Sequence, residues 1–407
     1  MKSLILGFGT SGWSAALFLL KKGYEVWVID KDKKKDKKNF FLKKIIFLNE
    51  DEEIDFSQFK FLVISSGISK KHPIVIKAKR EKVLVLDEVE LAFLYIRKNI
   101  CIGITGSNGK TTVTSLIEFV LNQNNIKAVA LGNIGKSVTS YLLEKNKKEV
   151  LIIELSSFQL SKIRKKILDI AVILNISEDH IDWHGSLKEY VESKFNIQNC
   201  LKKNKKLFIS HDIKKRYFKY LNRKFKVFDY NKNNQNVEAA YHVCKELGIK
   251  KKNFLKAFDK FKSGDHRIEL VNKISGILFY NDSKSTNAAS TIYAVEKLKK
   301  NIILIVGGVD KNICYKKWKK IFKGKVKYIF LIGRCAKKME KELKIFNPEV
   351  TIFLKKAVNK AFKIAERGDK ILLSPGFASF DQFDDYIHRG KEFKRLVNII
   401  EKRENVR

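Results

Sequence analysis

Short apolar runs alternate with amphipathic stretches along most of this chain. Leu4–Leu6 reads as a strand, residues 11–21 as a helix, and Glu25–Ile29 and Phe61–Ile64 as further strands. That rhythm predicts a parallel, doubly wound sheet. A second region opens near residue 96 with the apolar run Ile100–Ile104. Val113, Leu116, Ile117, Val120 and Leu121 follow at the i, i+3, i+4, i+7, i+8 spacing of a buried helical face. Buried strands are expected at Val150–Ile153 and Ile170–Leu174, and the polar stretch from about 186 to 264 reads as helical. The alternation resumes around Asp265. Ile277–Tyr280, Ile302–Val306, Val326–Ile332 and Ile371–Leu373 read as strands, with an amphipathic helix from about 389. The fold class is α/β in three regions, which suits 407 residues at ~100–200 per domain.

Two glycine runs sit at strand-to-helix junctions. The first region carries Gly7-Phe8-Gly9-Thr10-Ser11-Gly12, with Asp30 at the end of the next strand, 18 residues beyond Gly12. Alone, this pattern fits a dinucleotide fingerprint with its ribose-binding acid, another nucleotide, or a tight turn. The second region carries Thr105-Gly106-Ser107-Asn108-Gly109-Lys110-Thr111-Thr112. Glycines let backbone N–H groups turn toward phosphates, and the helix N-terminus adds partial positive charge. Lys110 can reach the β- and γ-phosphates of a nucleoside triphosphate, and the Thr111 hydroxyl can sit on Mg²⁺. The spacing departs from the standard P-loop, because Ile104 stands six positions before Lys110.

Further polar groups gather at expected strand ends. Glu154 closes the apolar run in VLIIELSSFQL, where a carboxylate can hold Mg²⁺ opposite a phosphate loop. LNISEDHIDWHG offers Asp179, His180 and Asp182. The third region offers Arg267 in GDHRIEL, Asp282, Lys284 and Thr286 in NDSKSTN, Lys311 in GGVDK, and Ser379 in SPGFASFDQFDDY. Several polar groups on one edge of a separate α/β region suggest a second substrate site.

Composition narrows the classes. No window approaches ~18 uninterrupted apolar residues, so no membrane span is expected. The apolar N-terminal stretch is short and runs into glycines, which favours a first strand over a signal peptide. Cys101, Cys200, Cys244, Cys314 and Cys335 lack CxxC spacing and fit a reduced cytosol. The net charge of +39, from 83 basic and 44 acidic residues, invites a nucleic-acid reading. Yet only 12 of the 83 are Arg, and the lysines spread along the whole length. Lysine-rich solvated faces are the simpler account, and no nucleic-acid partner is expected.

The ordered series of motifs, with GNIG at 132–135, closely resembles the Mur ligases, and within them the branch that adds D-glutamate. The resemblance spans nearly the whole chain. TGxNGKT is common to the family and to folylpolyglutamate synthase, whereas ELSSFQL, NDSKSTN and SPxxASxDQF mark the D-glutamate branch. It implies three domains: a Rossmann-like UDP-substrate domain at 1–92, a central P-loop-like ATPase domain at 93–264, and a Rossmann-like amino-acid domain at 265–407. The first glycine run then serves UDP, with Gly9, Thr10, Ser11, Gly12, Asp30, Asn133 and Ser156 toward UDP-N-acetylmuramoyl-L-alanine. Gly106, Ser107, Asn108, Gly109, Lys110, Thr111 and Thr112, with Arg267 and Asp282, would take ATP after domain closure. Thr111, Glu154, His180 and a carbamylated Lys194 would hold two Mg²⁺ ions, with Lys110, His180 and Lys194 in the catalytic roles. Unaided, Lys194 reads as a helix-surface lysine. Lys284, Thr286, Lys311, Ser379 and Tyr386 would hold D-glutamate. The implied reaction forms an acyl phosphate and then an amide, in a cytoplasmic monomer. Trp183 departs from the family by standing where Arg is usual, and the chain is shorter than usual around 185–240. A related ligase with another acceptor and a basic nucleic-acid-binding ATPase are the competing classes. A NAD-dependent oxidoreductase explains only the first 30 residues.

Overall fold

The computed structural model describes residues 1–30, 44–133, 135–145, 148–228, 235–261, 264–309 and 315–405, with the side chains at 182 and 316 outside that description. The chain forms two compact units, residues 1–261 and 262–407. The first unit holds two sheets. One is built from β1 (Lys2–Leu6), β2 (Glu25–Ile29), β3 (Ile45–Leu48), β4 (Phe59–Ile64) and β5 (Leu84–Asp87) in the order 3-2-1-4-5. The other is built from β6 (Ile100–Thr105), β7 (Ala128–Gly132), β8 (Val150–Glu154), β9 (Leu168–Ile173), β10 (Leu201–Ser210) and β11 (Phe225–Phe228) in the order 11-10-9-6-8-7. All strand pairs in these two sheets are parallel. The second unit carries β12 (Glu269–Ile274), β13 (Ile277–Asn281), β14 (Ile302–Gly307), β15 (Val326–Ile332), β16 (Glu349–Ile352) and β17 (Lys370–Leu373), ordered 12-13-17-14-15-16. Among the described strand pairs in it, only β12–β13 is antiparallel.

Strands covered on both faces need apolar side chains on both, and their sequences show it. Along β6, Cys101 enters one core while Ile102 and Ile104 enter the opposite one. The helix Lys110–Gln123 buries all five residues of its expected stripe in the second of these cores. β6 lies between β8 and β9, with the chain running to opposite sides of it. Parallel sheets bind ligands beyond the strand ends at such a switch point. The glycine loop, the end of β8 and the segment after β9 therefore share one edge.

The stretch from 186 to 264 is not wholly helical, since β10 and β11 lie inside it beside the helices Leu187–Phe195, Gln235–Glu246 and Lys251–Phe258. β10 reads LKKNKKLFIS, and its exposed middle of Asn and Lys hides the buried end Leu207–Ser210. The C-terminal helix starts at Tyr386, where Asp385 accepts the His388 N–H. Among the described residues, no helix is long and apolar enough to cross a membrane.

Candidate active site

The loop after β6 is pinned from the segment that follows β9. Asn175 accepts the Ser107 N–H on its backbone oxygen (2.9 Å) and the Asn108 N–H on Oδ1 (2.9 Å). The Ser107 hydroxyl is buried against Tyr190 OH (2.7 Å) and Ser177 O (3.0 Å). Gly109 takes φ +83°, and a Cβ there would lie 2.3 Å from Asn236 Oδ1. Left-handed backbone and a crowded neighbour both call for glycine. The first helical bond from the loop runs from Val113 N–H to Gly109 O, so the turn of Lys110, Thr111 and Thr112 presents its N–H groups ahead of the helix. The Lys110 ammonium lies back over the loop, donating to Gly106 O (2.8 Å) and Ser107 O (3.0 Å).

A second amine reaches the same carbonyl. Lys194 is only 2% exposed and donates to Gly106 O at 2.8 Å, with Nζ 4.7 Å from the Tyr190 ring centre. The surface reading of Lys194 is thereby corrected: Tyr190, Val191, Lys194 and Phe195 make one buried helical face. Burial holds its amine well below the usual lysine range, Lys110 pushes the same way, and Asp179 and Glu154 oppose.

Glu154 ends β8, buried at 2% exposure. Asn133 donates its Nδ2 to Glu154 Oε1 at 3.0 Å and its N–H to Glu154 O at 3.0 Å. Glu154 Oε2 is buried without a hydrogen bond. A buried carboxylate oxygen left without a donor suits a hard cation, so the residues fit Mg²⁺. No three His, Cys, Asp or Glu side chains among the described residues form a cluster on their own. His180 sits at φ 54°, strained for a residue with a side chain, with Asp179 Oδ2 3.5 Å from its Nε2 and Phe158 edge-on at 4.7 Å.

The first glycine run opens the helix Thr10–Lys21. A Cβ on Gly12 would fall 2.0 Å from Gly7 O, so the turn tolerates only glycine there. Asp30 accepts the Phe8 N–H and so shapes the turn itself. Gly9 and Thr10 are exposed and Ser11 half-buried at the helix start. Ser156 is buried in a capping box with Gln159, its hydroxyl 3.0 Å from Gln159 Oε1.

In the second unit the motifs interlock. Asp282 accepts from Ile268 N–H (3.1 Å), Ser374 Oγ (2.7 Å) and Ser285 Oγ, and burial pushes its carboxyl up to about 6 against those bonds and the Arg267 charge. Lys284 Nζ stands 5.3 Å from the Tyr386 ring centre. Thr286 is half-buried, and buried Ser379 starts the turn that receives the Gln382 and Phe383 N–H groups. Lys311 lies outside the described residues. Sequence reasoning passed over Arg389. It is 1% exposed and donates to Ser283 O (2.9 Å), Ser283 Oγ (3.0 Å) and Phe377 O (3.1 Å). One buried fork thus ties the NDSKSTN and SPGFAS segments together. Asn175 and Tyr190 were also missed, and both stand on segments whose neighbours had been singled out.

Comparison with known proteins fits this geometry. The Mur ligase MurD-like N-terminal domain model matches residues 1–87, the Mur ligase middle domain 104–281, and the Mur ligase glutamate ligase domain 266–377. A Protochlamydia amoebophila protein named UDP-N-acetylmuramoylalanine--D-glutamate ligase is 39% identical, over 98% of either chain. Proteins of the same name from Christiangramia forsetii and Chlamydia felis are 35% and 36% identical over 97% and 98% of this chain. Among solved structures, the UDP-N-acetylmuramate-alanine ligase MurC of Thermotoga maritima aligns with TM-score 0.62 at 15% identity, covering 98% of this chain and 99% of its own. The MurF ligase of the same organism, in complex with ADP, aligns with TM-score 0.59 at 17% identity, over 99% of this chain and 95% of its own. Sequence kinship along the whole length, the shared fold and the glycine loop agree: this chain belongs to the Mur ligase family.

Proposed function

We propose that the chain joins D-glutamate to UDP-N-acetylmuramoyl-L-alanine with hydrolysis of ATP, a step of peptidoglycan precursor synthesis, as a cytoplasmic monomer. One observation carries the reading. The Lys110 and Lys194 amines meet on Gly106 O, and the half-satisfied Glu154 carboxylate acts electrostatically on Lys194, in a chain whose relatives bear that ligase's name.

The reaction must bring a carboxylate to a triphosphate, so charge is the obstacle. The substrate carboxylate attacks the γ-phosphorus, ADP leaves, and an acyl phosphate forms. The D-glutamate amine then attacks the acyl carbon and loses a proton, and the tetrahedral intermediate collapses to the amide as the C–O bond to phosphate breaks and phosphate departs. Lys110 has a flexible stem and can turn from Gly106 O to a γ-phosphate oxygen, meeting the charge as it develops. N–H groups of the first helical turn take the other oxygens. Two Mg²⁺ ions, held by Thr111 and Glu154 and by His180 and Lys194, would offset phosphate charge. Asn133 occupies Oε1, so Oε2 is the oxygen of Glu154 that would take the cation. Burial disfavours the charged form of Lys194 and so favours the neutral amine, the form that can add carbon dioxide and release a proton to give an anionic carbamate. Lys284, Thr286, Lys311, Ser379 and Tyr386 form the D-glutamate side, where lysines suit a dicarboxylate. Gly9 to Gly12 and Asp30 form the UDP side.

Phosphate release from Mg-ATP tests the reading. It should require both UDP-N-acetylmuramoyl-L-alanine and D-glutamate, with L-glutamate, glycine and L-lysine inactive. Release driven by another amino acid would move the specificity elsewhere in the family.

A further inference from the structure

Three successive backbone carbonyls after β4 are each held by a donor from a distant part of the same unit. Lys162 Nζ donates to Ser65 O (3.3 Å) and Ser66 O (2.9 Å), and Trp183 Nε1 donates to Gly67 O (3.1 Å). The two donors also meet each other, with the Lys162 amine 5.8 Å from the Trp183 ring centre. On one side the contact reaches the first glycine turn, since Ser65 Oγ donates to Gly7 O at 2.8 Å and Ser65 N–H donates to Leu6 O at 2.9 Å. On the other side it reaches His180. Trp183 lies on the short helix Ile181–His184 that His180 caps, and Phe158 packs edge-on against both rings at 4.7 Å. Burial disfavours the charged Lys162 amine, and the Asp87 charge opposes that.

We infer that Lys162 and Trp183 are positioning residues that fix the register between the two ends of the UDP-linked substrate. This rests on the ligase reading above. The substrate is long: its nucleotide end would lie at the Gly7–Gly12 turn and its reacting carboxylate near His180. A molecule of fixed length needs those two places at a fixed offset. Three hydrogen bonds to consecutive carbonyls set that offset without touching the reacting atoms. A displacement of about 1 Å between reacting groups is enough to lower rates by up to about a hundredfold.

Four forms of the full-length enzyme test this: wild type, Trp183→Phe, Lys162→Met and Lys162→Arg. Trp183→Phe keeps an aromatic ring but removes the Nε1 donor and part of the indole surface, whereas Lys162→Arg keeps donors for both serine carbonyls. Calorimetry would measure UDP, UDP-N-acetylmuramoyl-L-alanine and Mg-ATP separately. Trp183→Phe and Lys162→Met should weaken the long substrate about tenfold, as loss of one or two hydrogen bonds implies, and leave UDP and Mg-ATP within about twofold. Lys162→Arg should restore most of the loss. Equal weakening of UDP and the long substrate, or no weakening at all, overturns the inference. Should Lys162→Met not fold, Trp183→Phe decides alone. A wild-type enzyme that releases no phosphate with both substrates present would instead remove the ligase reading, an outcome the comparison of variants cannot produce.

Discussion

Lys110 and Lys194 reach one carbonyl for opposite reasons. Lys110 stands where the loop gives way to the helix and keeps freedom to turn outward. Replacing it with Ala should lower kcat about a thousandfold, the effect of losing a charged donor at the transferring phosphate, with UDP-substrate affinity nearly unchanged. Full activity in Lys110→Ala would remove the phosphate-loop assignment. Lys194 is buried, and its amine loses protons in the folded state that the unfolded chain holds up to a pKa of about 10.5. A lowered folded value makes the group weaken the fold at every pH below about 10.5, and the penalty fades as pH rises toward that value. Lys194→Met should raise the melting temperature near pH 7 by a few degrees while turnover disappears, a trade between stability and function. Thermal unfolding of both proteins across pH would check it, and a lower melting temperature for the variant would sink the idea. Lys110 and Glu154 were legible because short motifs announce them. Lys194 was not, because LKEYVESKF reads as a polar helix until Tyr190, Val191, Lys194 and Phe195 are seen to share one face.

Elements impose their own tests. Gly109→Ala forces a Cβ into left-handed backbone and to 2.3 Å from Asn236 Oδ1. Asn236 can turn aside, but the left-handed backbone still strains the helix start, so ATP affinity should fall at least tenfold, with UDP affinity unchanged, in paired binding titrations. A second test concerns the helix Glu88–Phe93. Glu88 is buried at 2% exposure and accepts from Thr139 N–H and Thr139 Oγ1, each at 2.6 Å. Burial, outweighing those bonds, pushes its carboxyl up to about 7. Its folded pKa exceeds the unfolded value, so its contribution is fully present below about 4.5 and is lost as pH rises through about 7. The loss is at most about 3 kcal/mol. Glu88→Gln should flatten the fall in melting temperature between those pH values, and an unchanged slope would show that Glu88 is not its source. Strand rhythm made the three sheets legible: Val326–Ile332 and Glu25–Ile29 lie where their apolar runs place them. β3, β5, β7, β12 and β16 escaped because each carries exposed or half-buried positions and lacks the continuous buried run of β8 or β14.

At the scale of the molecule the open question is the charge. Were every one of the 44 acidic residues matched to a basic one, 39 of the 83 would still lack a partner. Many of the pairs seen lie at the surface and are worth little individually, such as Lys202 and Lys205 on Asp169 or Lys206 and Lys226 on Glu246. What the excess supplies is a field, and every expected substrate is an anion. A field of this kind acts on encounter and is screened by salt, with a Debye length falling from about 30 Å at 0.01 M to about 8 Å at 0.15 M. Buried groups such as Lys194 and Glu154 are screened far less. Raising ionic strength across that range should therefore lower kcat/KM for the UDP substrate about tenfold and leave kcat within about twofold. A nucleic-acid-driven ATPase would behave differently. Its phosphate release would need added nucleic acid, and the rate itself would collapse with salt as counterions displace the contacts. Steady-state assays at several salt concentrations, with and without nucleic acid, separate the two. A kcat that falls in step with kcat/KM would mean that the exposed lysines take part in the chemical step and do more than gather substrates.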